Sequence, residues 1–142
     1  MIQKQLAIFV ENKTGALCKI TKIIADCKIN LRALCIAETK DYGILRIIVD
    51  NPSEALDKLR SLGISVTVNN MVIVKMADHP GSLAEILEVL ARHDIGVNYL
   101  YAFLSGEQKD TAYVALRIDS DKEQKAVEVL QEKGYVESDS FA

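Results

Sequence analysis

The chain has 142 residues, 49% of them hydrophobic and 26% charged, with a formal net charge of −3 at pH 7. That size and balance fit a globular protein of one domain or two small ones, and the slight acidity argues against the basic face of a nucleic-acid binder. Nothing approaches the ~18 apolar residues of a membrane span, and Met1-Ile2-Gln3-Lys4-Gln5 lacks the regions of a signal peptide, so the chain reads as cytoplasmic.

Gln5-Leu6-Ala7-Ile8-Phe9-Val10 is apolar enough for a strand, and a short turn holding Gly15 follows. Leu17, Ile20, Ile24 and Cys27 then fall at i, i+3, i+7 and i+10, one face of a helix. Residues 31–39 read as a strand, 40–43 as a hairpin turn and 44–50 as a β-branched strand. Asn51-Pro52-Ser53 opens a second helix, since proline is tolerated in the first turn. Ala55, Leu56, Leu59 and Leu62 form its buried face, Gly63 stops it, and 64–68 is a last strand. The order is βαββαβ, the ferredoxin-like split motif.

The second half repeats that order. Residues 71–77 read as a strand. The helix 82–93 carries the stripe Leu83, Ile86, Leu87, Leu90 and Ala91. Ser82-Leu83-Ala84-Glu85 fits a capping box, with Ser82 accepting from the N–H of Glu85. Strands 97–104 and 111–118 flank the polar loop 105–110, a charged helix spans about 121–133, and a short strand, 135–137, precedes a polar tail. The fold class is therefore α+β: two modules, residues 1–69 and 70–142, side by side in one antiparallel sheet of about eight strands with helices on one face. In strand 44–50, Leu45, Ile47 and Val49 should face the helices, because the alternate set contains Arg46. The opposite face then carries Ile44, Ile48, Tyr113, Phe9 and Ile73. It is too apolar to be bare and is expected to be covered by a second copy or a partner.

The duplication is also written in the turns. Asn12-Lys13-Thr14-Gly15-Ala16-Leu17 recurs 66 residues on (12 to 78) as Asp78-His79-Pro80-Gly81-Ser82-Leu83. The first turn of a helix offers backbone N–H groups without internal partners and the positive end of the dipole, a seat for a carboxylate. Gly15 and Gly81 let a ligand approach the backbone. Asp78 could accept from an ammonium group. A carboxylate seat beside an ammonium acceptor describes a free α-amino acid; an Asx turn with no ligand would use the same residues. His79 is either a solvated turn histidine or, facing a ligand, a source of pH dependence. His93 suits a helix-dipole partner, and two histidines this far apart make no metal site. Tyr99, Tyr101 and Phe103 read as core or interface. Cys18, Cys27 and Cys35 match no zinc or redox spacing and are expected to be small buried hydrophobes.

The turns, and Ile95-Gly96-Val97-Asn98 after the third helix, resemble the ACT domain, a βαββαβ module that binds amino acids in metabolic regulators. The second copy matches well; the first departs at Asn12, where Asp is usual, and at Thr14, where Pro is usual. The resemblance implies an amino-acid site at the interface between the two modules, against the first turn of one and the second strand of the other. Its candidates are Asn12, Thr14, Gly15, Ala16 and Leu17; Asp78, His79, Gly81, Ser82 and Leu83; and Asn30 and Asn98 at the second-strand starts. The second turn ranks first, because Asp78 is charged. Ala16, Leu17, Leu83 and Ala33 would fit a branched or aromatic side chain, and His79 and Asp78 a polar or basic one.

No Ser/His/Asp or Cys/His set, paired-carboxylate site or glycine-rich phosphate loop can be argued, so no catalysis, cofactor or metal is expected. The expected function is an amino-acid sensor or regulator of amino-acid metabolism, a homodimer through sheet faces or edges, acting on a separate metabolic enzyme. The alternative is a protein-interaction module whose turns bind nothing.

Overall fold

The computed structural model describes residues 1–104 and 108–136. The elements are β1 (Ile2–Glu11), α1 (Ala16–Asp26), β2 (Leu31–Glu38), β3 (Tyr42–Val49), α2 (Pro52–Ser61), β4 (Val66–Ala77), α3 (Ser82–Arg92), β5 (Tyr99–Leu104), β6 (Thr111–Arg117) and α4 (Glu123–Glu132). The chain forms two compact units, Lys4–Asn69 and Met1–Gln3 with Asn70–Ala142, and both β1 and β4 cross the division. In the first unit the strand order is β2-β3-β1-β4, and in the second β1-β4-β6-β5.

Six strands form among the described residues, where about eight were expected. The strands expected at 64–68 and 71–77 are one strand, β4, because Asn69-Asn70 carries no Gly or Pro to break the extended chain. The strand expected at 135–137 does not form over Tyr135 and Val136, and Glu137 lies outside the described residues. Tyr135 still accepts from Lys75 N at 2.8 Å, as Ser65 accepts from Phe9 N at 3.1 Å in the first unit.

Each unit packs its helices on one sheet face. In the first, Leu45, Ile47 and Val49 meet Ile20 and Ile24 of α1 and Ala55 and Leu59 of α2, the face the position of Arg46 predicted. In the second, Val72, Val74, Val114 and Leu116 meet Ile86 and Leu90 of α3 and Ala126 and Leu130 of α4. The helical stripes are narrower than periodicity suggested. Leu17, Leu62 and Ala91 are exposed, each in the first or last turn of its helix or just beyond it. On the opposite sheet face Ile48 and Ile73 are buried within the single chain, so their burial requires no second copy. Ile44 and Tyr113 are half-buried, and Phe9 is exposed, stacked on Tyr42 with centroids 5.0 Å apart.

The expected capping box does not form at α3, and a related side-chain cap forms at α2. The N-cap of α3 is Gly81, and Ser82 is the first helical residue, so its hydroxyl cannot reach the Glu85 N–H, which donates to Gly81 O at 3.0 Å. At α2 the N-cap is Asn51: its Oδ1 accepts from Glu54 N at 3.2 Å, and its Nδ2 donates to Glu54 Oε2 at 2.8 Å.

The cysteines differ from the expectation of three buried thiols: Cys18 is exposed, and Cys27 and Cys35 are half-buried. Cys18 lies off the buried stripe of α1. Burial pushes the Cys35 thiol up, against the opposing pull of its hydrogen bond and charge contact with Arg46. Since the thiolate is the nucleophile, iodoacetamide near neutral pH should alkylate Cys18 first and Cys35 last. Peptide mass spectrometry over a time course checks the order.

Candidate functional site

The sequence repeat is a repeat of hydrogen bonds. After β1, Asn12 N donates to Asp41 O at 3.0 Å, Lys13 N to Glu11 O at 2.9 Å, Ala16 N to Lys13 O at 3.2 Å and Lys19 N to Gly15 O at 3.0 Å. After β4, Asp78 N donates to Asp110 O at 2.9 Å, His79 N to Ala77 O at 3.0 Å, Ser82 N to His79 O at 3.4 Å and Glu85 N to Gly81 O at 3.0 Å. The strand therefore ends in a tight turn, and a glycine opens the helix in both copies. Gly15 (φ 86°) and Gly81 (φ 97°) are left-handed, the region a Cβ disfavours.

Nothing lies within 4 Å of a Cβ built on either glycine, so a substitution is resisted by the backbone angle alone. Gly81→Ala is expected to cost about 1–2 kcal/mol, and Gly81→Asn less, because asparagine tolerates this region. Urea denaturation of the three proteins checks the order.

The side chains on this frame differ. Asn12 Nδ2 donates to Lys40 O at 3.2 Å and lies 3.4 Å from Thr39 O, tying the turn to the β2–β3 hairpin. Asp78 is exposed, and its carboxylate makes no hydrogen bond or ion pair among the described residues. The His79 ring folds over the helix start: Nδ1 is 3.0 Å from Pro80 O and 3.0 Å from Ser82 Oγ, which is buried. His79 is thus a turn-closing residue in this conformation. Thr14 is exposed, Ala16 and Leu83 are half-buried, and Leu83 packs on the second core.

Asn30 and Asn98 are not brought to their own turns. Strand β2 runs in the same direction as β1, both being antiparallel to β3, so its start lies at the far end from Gly15. Eight residues of strand span roughly 25 Å. Asn30 instead pairs with Asp50, its N donating to Asp50 Oδ1 at 3.1 Å, and Asn98 Nδ2 donates to Asp119 Oδ1 at 3.0 Å.

Two hollows flank the first turn. A small one of ≈ 120 Å³ lies toward β2, with Asn12, Leu17, Ile36 and Glu38 on its wall. A larger cleft of ≈ 540 Å³ lies on the other side, between Thr14-Gly15-Ala16 and the α2–β4 connection Gly63-Ile64-Ser65. Sequence reasoning missed the residues that give this cleft its charge, Glu11, Lys13 and Lys19. Lys13 Nζ is 2.8 Å from Glu11 Oε2; this hydrogen bond and charge contact hold the Glu11 carboxyl below its ordinary range and the Lys13 ammonium above. No cluster of three metal-ligating side chains occurs among the described residues, and none of their helices is long and apolar enough to cross a membrane.

Comparison with known proteins agrees with this architecture. The sequence matches the family described as ACT domain pair over residues 1–142. Among solved structures, protein BT0572 from Bacteroides thetaiotaomicron is 38% identical with a TM-score of 0.87, over 95% of this chain and 90% of that one. The ligand-free regulatory subunit of aspartate kinase from Thermus thermophilus shares the fold at 12% identity and a TM-score of 0.63, over 92% and 91% of the two chains. Clostridium acetobutylicum aspartate kinase shares it at 16% identity and a TM-score of 0.58, over 92% of this chain and 33% of that one. No match was found among curated proteins.

Proposed function

The chain belongs to the ACT domain pair family, and from that premise we propose that it is a regulatory protein that binds a free L-amino acid at its strand–helix turns. The two ACT modules are residues 1–69 and 70–142. The observation that carries the reading is the duplicated turn: a left-handed glycine opens a helix with no side-chain cap on its N–H groups, beside a side chain suited to an ammonium group. At the second turn that side chain is Asp78, whose carboxylate is unpartnered among the described residues. At the first it is Asn12, whose amide nitrogen is engaged with the hairpin and whose Oδ1 remains as acceptor. Ligand binding shifts the population of conformations by its differential affinity for them, which is what regulation of a separate metabolic enzyme requires.

Isothermal titration of the purified chain with each of the twenty amino acids tests this. One amino acid, or a chemically related group, should bind. If it occupies the second turn, Asp78→Ala removes a charge-assisted hydrogen bond of about 1.5–3 kcal/mol, weakening affinity roughly tenfold or more. Absence of heat with all twenty counts against the reading.

The same reading includes a homodimer, and β2 is the strand suited to it. It stands at the edge of its unit, paired only with β3 there. Leu34 and Ile36 on it are 56% and 48% exposed, although their neighbours Ile47 and Leu45 are buried. An antiparallel β2 from a second copy, centred on Cys35, sets Leu34 against Ile36, which complements the apolar surface. Light scattering at micromolar concentration should give twice the 15.7 kDa chain mass, and Leu34→Lys with Ile36→Lys, which sets like charges opposite each other, should give the single chain. A monomeric wild type contradicts the dimer.

A further inference from the structure

The sequence left open whether a branched or aromatic side chain or a polar or basic one would fit, and the cleft behind the first turn bears on that choice. Resting on the amino-acid reading above, we infer that the ≈ 540 Å³ cleft is the first module's site and takes a zwitterion with a large apolar side chain, branched or aromatic.

The volume falls in the range of small-molecule sites. Its floor is apolar: Val10 and Ile20 are buried core residues, and Ile64 is half-buried against the same core. The wall of the cleft carries both signs of charge. Glu11 holds one carboxylate, shared with Lys13 at 2.8 Å. Lys19, one turn into α1, lines the cleft and has no ion pair among the described residues. An α-carboxylate finds Lys19 as its counter-ion, and an α-ammonium finds Glu11. The side chain then meets Phe9, Val10, Ile20 and Ile64, with Thr14 and Ser65 beside them. A charged side chain would find no uncommitted counter-ion there, since Glu11 and Lys13 already hold each other and Lys19 is taken by the α-carboxylate, so it would lose hydration for little in return. The second module lacks this arrangement: 66 residues on, Glu11 becomes Ala77 and Lys19 becomes Glu85.

The test is titration of the full chain and of Lys19→Glu with L-phenylalanine, L-leucine, L-aspartate and L-lysine, after all twenty have been screened. Lys19 is exposed and outside the core, so the variant should melt with the wild type. Phenylalanine or leucine should bind at least tenfold tighter than aspartate or lysine, and Lys19→Glu should weaken that binding at least tenfold. Tighter binding of aspartate or lysine overturns the side-chain class and leaves the amino-acid reading standing. Apolar binding that Lys19→Glu leaves unchanged overturns the cleft as its site and also leaves that reading standing. No binding by any of the twenty overturns both.

Discussion

Leu6→Ala should destabilise the protein by about 3–4 kcal/mol, near the middle of the range for a fully buried leucine. Leu6 is 0% exposed and lies in β1 opposite Ile47, inside the cluster that ties α1 and α2 to the sheet. Two terms add: the lost transfer of the side chain from water, and the cavity left between a sheet and two helices that cannot close on it. For a chain of this length the melting midpoint should fall by on the order of 10 °C. Leu62→Ala, a neighbouring change at an exposed leucine just beyond α2, should move it by no more than about 0.5 kcal/mol. Equal effects from the two would mean that the burial pattern is wrong.

Glu123→Ala should cost about 3 kcal/mol, although it removes a single surface-facing helix residue by sequence position. Arg117 Nη1 donates to Glu123 Oε1 at 3.0 Å with the side chains 20% and 10% exposed, and Asn70 Nδ2 donates to Glu123 Oε2 at 3.0 Å. Glu123 is also the first residue of α4, where a negative charge meets the positive end of the dipole. Alanine therefore leaves a largely buried guanidinium without its counter-ion. Arg117 keeps its contact with Ile118 O, so the loss stays short of the full cost of an isolated buried charge. Glu123→Gln should lose roughly half as much, since it retains shape and an acceptor for Asn70. Pairing Glu123→Leu with Arg117→Met should recover much of the loss, because apolar side chains of similar volume carry no desolvation cost. A Glu123→Ala cost below about 1 kcal/mol would place the pair among ordinary surface bridges.

These two sites differ in how far they could be read in advance. Leu6 sits in an apolar run of strand periodicity, and the inward direction of Leu45, Ile47 and Val49 followed from the position of Arg46 alone. The repeated turn was legible as sequence, and its hydrogen-bond frame proved to be repeated as well. The buried Glu123 was not legible, because a glutamate in a charged helix looks like a solvated one until Arg117 and Asn70 are seen beside it. The exposed Cys18 could have been placed by the helical wheel, since it falls off the Leu17, Ile20, Ile24 stripe. The merging of two expected strands into β4 was hinted at by the absence of a breaker at Asn69-Asn70, but the repeat period argued for a division there. The cleft could not be read at all. It depends on Gly63-Ile64-Ser65 lying against Gly15-Ala16, a proximity created by β1–β4 pairing across some fifty residues (15 to 64).

The central claim is that a free amino acid binds this protein. It is tested most directly by a thermal-shift screen of the purified chain against the twenty amino acids at millimolar concentration. Saturation at about 100 times Kd adds roughly 2.7 kcal/mol to stability, which moves the midpoint of a chain this size by several degrees. A shift of that size with one amino acid or a chemically related few is the predicted result. An unmoved midpoint with all twenty would contradict the account.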